Sequence, residues 1–142
     1  MDTRDMGDGF WLLKARPGEE LLEALTAFLA EKRIYAGFLT GIGAAREAEI
    51  GHFDPRAKSY HKEVYPGPVE IVSLNGNVTR VEDGRPFVHA HAVLSLKDMS
   101  TRAGHLFRAV VDPTCEIVLR ALPGAVERRM VADVGLKLWQ LP

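Results

Sequence analysis

His89 and His91 stand two residues apart in Phe87-Val88-His89-Ala90-His91-Ala92-Val93-Leu94, a run whose aromatic and branched residues predict a β-strand. A period of two puts both imidazoles on one face, about 7 Å apart at the backbone. Two such rings can converge on one ion that needs metal–nitrogen distances of roughly 2.0–2.1 Å. A third, His105, follows Gly104 and opens the next predicted strand. If the two strands pair, His105 joins the first two, and three imidazoles leave one coordination position for water, substrate or a partner residue. The ligand form is neutral imidazole, so proton competition is expected near a pKa of about 6.5. An HxH pair is also compatible with a buried hydrogen-bonded couple or with two solvent-facing rings.

Other residues carry less. His52, beside Phe53, and His61, in Ser59-Tyr60-His61-Lys62-Glu63, read as ordinary surface or edge-strand histidines. The single Cys115 alternates with Ile117 and Leu119 on an inward strand face, which predicts a buried, inert thiol. Asn75-Gly76-Asn77 interrupts an apolar run, and glycine there predicts a bulge or a close backbone approach, with an asparagine facing a pocket as the functional alternative. If the histidines serve an enzyme, a general base is needed, and Glu70 or Asp98 is the nearest guess. Gly41-Ile42-Gly43-Ala44-Ala45-Arg46 lacks the third glycine of a dinucleotide fingerprint and precedes a strand, not a helix. No nucleophile elbow, P-loop or HExxH is present.

Composition bounds the setting. The chain has 142 residues, a one-domain length, and 46% hydrophobic residues, too apolar for a disordered segment. Eighteen basic against nineteen acidic side chains give a net charge of −1. That balance argues against a surface built for nucleic-acid phosphates, and Arg128-Arg129 is the one adjacent arginine pair. One cysteine excludes an internal disulfide and a cysteine-rich zinc site. No apolar run approaches the roughly 20 residues of a membrane span, and the opening residues do not read as a signal peptide. The expectation is a cytoplasmic protein.

The elements that must position these residues follow from pattern. Leu21, Leu25, Phe28 and Leu29 recur at helical spacing, with Glu19-Glu20 before them and Lys32-Arg33 after, which predicts one helix over residues 18–33. After a polar N-terminal tail, Phe10 to Leu13 reads as a short strand. Beyond the helix, turns are expected at Gly41-Ile42-Gly43, Asp54 to Lys58, Pro66-Gly67-Pro68, Glu82 to Pro86, Lys97 to Ala103 and Asp112-Pro113. Leu136, Leu138 and Gln140 alternate as a last strand. The fold class is α+β, with a curved, mostly antiparallel sheet of about seven strands and one main helix.

The order of Gly41-Ile42-Gly43-Ala44, Gly51-His52-Phe53-Asp54, Glu70 to Asn77, Pro86 to His91 and Gly104-His105-Leu106 resembles the PPC (plants and prokaryotes conserved) domain, stand-alone prokaryotic type. The resemblance runs from about Phe10 to Leu141 and implies one PPC-like domain over residues 1–142. It further implies a homotrimer, and it places a bound divalent metal, zinc by expectation, on His89, His91 and His105. Ala103 stands where the usual Gly-Gly-His-Leu has its first glycine, which is costly if the backbone there needs positive φ. The function implied is a homotrimeric metal-binding module with a DNA-associated or regulatory role, although the net charge supports a DNA partner only weakly. A small-molecule ligand and a metal-dependent hydrolase or lyase using the three histidines are the alternatives. The family assigns no catalytic residue.

Overall fold

Polar and apolar residues alternate along most of this chain, and a sheet is the only structure that can bury one set while exposing the other. The computed structural model describes residues 1–141. Its elements are β1 (Asp2–Gly7), β2 (Phe10–Ala15), α1 (Leu21–Lys32), β3 (Gly37–Asp54), β4 (Ser59–Val81), β5 (Pro86–Ser95), β6 (Thr101–Ala121), β7 (Glu127–Val131) and β8 (Leu136–Gln140). Eight strands form one sheet in the order β1-β2-β6-β3-β4-β7-β8, and β5 pairs with both β4 and β6. Strands β3, β4, β5 and β6 therefore close into a ring of pairings. All pairings are antiparallel except β4 with β7. The expected class, mostly strand with one helix, is the one found.

The helix begins later than the sequence suggested. Gly18 takes a left-handed φ of +86°, and Glu20 is extended, so neither can be helical. Glu20 is instead the N-cap, its carboxylate accepting the Glu23 N–H. Arg33, in the left-handed region, ends the helix. Leu21, Leu25, Phe28 and Leu29 are buried, as their spacing predicts. They join Leu39, Ile71, Leu74, Leu94, Leu106 and Leu119 in one apolar core.

Three expected turns are corrected. β3 runs through Gly41-Ile42-Gly43, β4 through Pro66-Gly67-Pro68 and β6 through Asp112-Pro113. In each place the ladder slips instead of ending, with register shifts between Gly41 and Gly43, Ala45 and Glu47, and Gly43 and Ala45. Residues that cannot complete a regular ladder are absorbed there as bulges, which bend long strands without breaking them. The polar N-terminal tail is also a strand, β1, at one edge of the sheet, and Glu127–Val131 adds another that the sequence did not suggest. The expected loop from Lys97 to Ala103 is shorter, because β6 starts at Thr101.

Candidate metal centre

Strand β5 buries Val88, Ala90, Ala92 and Leu94 in the core, so His89 and His91 necessarily point to the opposite face. β5 pairs with β6 in a register that sets His91 directly across from His105. On its other side β5 pairs with β4, where Asn77 faces His89 and Asn75 faces His91. Gly76 stays in regular register opposite Ala90; it is a close approach and not a bulge, since a Cβ there would lie 2.7 Å from the His89 carbonyl oxygen. Ala103 pairs with Val93 within the ladder and has no positive φ, so the missing glycine costs nothing.

The three rings converge. Centroids lie 5.2 Å apart for His89 and His91, 5.0 Å for His89 and His105, and 5.5 Å for His91 and His105. One potential ligand nitrogen from each falls within 4.8 Å of the other two. Tetrahedral ligation of zinc needs nitrogens about 3.4 Å apart, which the rings can reach by small side-chain rotations. His91 is exposed and the other two are half-buried. Burial, reinforced by neighbouring positive charge, pushes the pKa of His89 and of His105 down to about 4. Both rings are thus neutral at physiological pH, the form that ligates a metal. Proton competition at these two positions begins well below the 6.5 expected from the sequence. The buried Nδ1 of His105 has no hydrogen-bond partner among the described residues. An unsatisfied buried nitrogen on a ring that lies beside two other imidazoles fits a bound cation.

Around the rings stand residues that the sequence did not single out as ligand neighbours. Arg128, buried on β7, donates from Nη2 to Asn77 Oδ1 at 3.2 Å and lies 3.3 Å from His89 Nδ1. Its Nε donates to Thr79 Oγ1 at 3.3 Å, and its Nη1 to the Lys137 carbonyl at 2.7 Å. Tyr60 and Phe107 pack on His105, with centroids 5.2 and 4.6 Å away, and burial raises the Tyr60 hydroxyl pKa against the opposing pull of Arg128. Only the Arg128-Arg129 pair hinted at Arg128. The β4–β7 pairing that delivers it is non-local and leaves no trace in spacing.

The remaining candidates lie elsewhere. Glu70 pairs with Ser95 at the far end of the β4–β5 ladder, five residues from Asn75, and the Asp98 carboxylate accepts from the Ser100 N–H and hydroxyl in a turn. Among the described residues no carboxylate or thiol joins the three histidines as a common ligand group. His52 and His61 are exposed register partners on β3 and β4. Cys115 is buried, and burial pushes its thiol up to about 11, as an inert core residue requires. No helix is long and apolar enough to cross a membrane.

Known proteins share this arrangement of chain. No protein of curated function matches the sequence. A metal-containing protein from Archaeoglobus fulgidus is 38% identical, with a TM-score of 0.87 over 99% of this chain and 100% of its own. A plant- and prokaryote-conserved protein from Pyrococcus horikoshii is 32% identical, with a TM-score of 0.88 over 99% and 94%. A candidate DNA-binding protein from Bacteroides thetaiotaomicron is 28% identical, with a TM-score of 0.92 over 98% and 96%. The family model of the Plants and Prokaryotes Conserved (PCC) domain matches residues 7–123, which hold all three histidines. The chain therefore belongs to the Plants and Prokaryotes Conserved domain family.

Proposed function

We propose that this chain is a metal-binding module in which His89, His91 and His105 hold one divalent ion, with zinc the expected occupant of a three-imidazole donor set. The observation that carries this reading is the convergence of three ligand nitrogens within 4.8 Å from two paired strands. The neutral rings, the unsatisfied His105 Nδ1 and the likeness to a metal-containing protein support it. A bound divalent ion supplies Lewis acidity to whatever oxygen occupies its open position. Metal analysis of untagged protein tests the reading: about one ion per chain is expected, lost in His89→Ala. Absence of metal after dialysis against zinc removes it.

The same reading takes the module as a homotrimer, as the family resemblance implies. Leu12, Phe38, Ile42, Val72 and Val118 are exposed large apolar residues on neighbouring strands, and Leu12, Ile42 and Val118 line one groove of about 600 Å³. A second copy of this chain is the proposed cover for that face. Residues 1–142 are taken as one domain, consistent with the single apolar core. A regulatory or DNA-associated role accords with the Bacteroides relative, but a net charge of −1 gives little drive toward phosphates. Fluorescence anisotropy with random and AT-rich duplexes at two salt concentrations decides the matter, since no binding at either removes a direct role.

The open coordination position also supports a second reading, a metal-dependent hydrolase or lyase. Glu70 and Asp98 are too remote to serve as its base, which leaves Tyr60, packed on His105, as the titratable hydroxyl at the site. Hydrolysis of esters, phosphates or amides that needs added metal and vanishes in His89→Ala separates this reading from a binding module.

A further inference from the structure

Arg128 is buried, yet no carboxylate lies within ion-pair distance of it among the described residues. Arg16, Arg80, Arg85 and Arg108, all more exposed, each reach an Asp or Glu. The partners of Arg128 are all neutral: Thr79, Asn77, the Lys137 carbonyl and His89. A guanidinium stays charged at any physiological pH, and a buried charge is costly unless an opposite one meets it.

The contact with His89 adds a second constraint. A neutral imidazole has one lone pair in its ring plane. That pair can accept the Arg128 N–H or bind a metal, and it cannot do both. When His89 acts as a ligand, Arg128 therefore loses an acceptor, and an N–H is released beside the histidines. The site then gathers two positive centres and no carboxylate.

We propose that the loaded site recognises a small oxyanion, a carboxylate or a phosphate, with Arg128 as its counter-charge and N–H donor. This rests on the metal reading above. The guanidinium fork suits such a ligand because two N–H groups can meet two oxygens. Arg128 acts here as a recognition residue supplied by β7, outside the span that the family model matches.

Cobalt-loaded protein provides the test, because visible absorption reports what occupies the open position. The probes are acetate, inorganic phosphate and neutral imidazole. Arg128→Gln is expected to weaken whichever of acetate and phosphate binds by about tenfold or more, while imidazole affinity stays within about twofold. In buffer free of both anions, the same variant should hold cobalt more tightly, since a competitor for the His89 lone pair is gone. A purely structural arginine would produce neither effect. Arg128→Lys keeps the charge and guards against a folding defect; it should retain more anion affinity than Arg128→Gln. Equal anion binding by wild type and both variants overturns the proposal. So does a wild type that loads cobalt but ignores both anions, an outcome that leaves the metal reading standing. Failure to load cobalt at all removes both.

Discussion

The Glu20 carboxylate ties Ala109 to the start of the helix: one oxygen accepts the Glu23 N–H at 2.8 Å and the other the Ala109 N–H at 2.9 Å. One side chain thus caps α1 and fastens it to β6, the strand that carries His105. Glu20→Ala removes the cap, about 0.5–2 kcal/mol, and leaves a strand N–H without its acceptor, about 1–3 kcal/mol. A loss of about 2 kcal/mol in urea denaturation is the expected sum after partial relaxation. An unchanged midpoint would show that water replaces both bonds.

Leu25 is fully buried at the centre of the helix face. Leu25→Asp places a carboxylate where no partner exists and should unfold the protein or lower its melting temperature drastically. A melt within a degree or two of wild type would refute the packing.

For the metal site, alanine at His89, His91 or His105 should each abolish or greatly weaken zinc binding measured by calorimetry. His61→Ala, exposed and paired with His52, should leave it unchanged. Chelator should lower the melting temperature of wild type and of His61→Ala but not of the three ligand variants, because a ligand bound to the native state stabilises it.

The pH dependence of the metal-free protein has a definite sign. Folded His89 and His105 protonate at about 4, whereas in the unfolded chain they protonate near 6.5. Between those values the unfolded state binds more protons, so stability rises with pH across that window and is level above it. Melting temperature should therefore fall as pH is lowered from about 6.5 toward 4. The double variant His89→Gln/His105→Gln should show a shallower slope, and an identical slope would mean the rings titrate normally.

Assembly is tested on the exposed apolar face. Sedimentation equilibrium is expected to give three times the chain mass, and Ile42→Glu to give the 15.7 kDa chain. A wild type that sediments as a single chain at micromolar concentration refutes the trimer.

The helix face and the His89–His91 pair were legible because their evidence is local: a 3.6-residue period in one case, an HxH alternation in the other. His105 joined them only through the family resemblance and the non-local pairing of β5 with β6. Strand ends were not. Glycine and proline at 41–43, 66–68 and 112–113 look like turns in sequence, but in a closed ring of long strands the same residues sit at ladder slips. β1 was hidden by its polarity, which suits an edge strand that must not recruit another. Arg128 was hidden by distance, since only the parallel pairing of Val81 with Arg128 brings it to the histidines.

The ring of pairings has a kinetic meaning for the site. From His91 to Ser95, β5 is hydrogen-bonded to strands on both sides, whereas from Pro86 to Ala90 it is paired with β4 alone. Amide protons in the first half of β5 should accordingly exchange with deuterium sooner than those in the second. The boundary falls between the two histidines of one strand. His91 and His105 sit where their strands are paired on both sides and His89 where β5 is paired on one, so the segment carrying His89 is expected to open first. Exchange measured with and without zinc should then slow chiefly at residues 87–90, where the third ligand is fastened down.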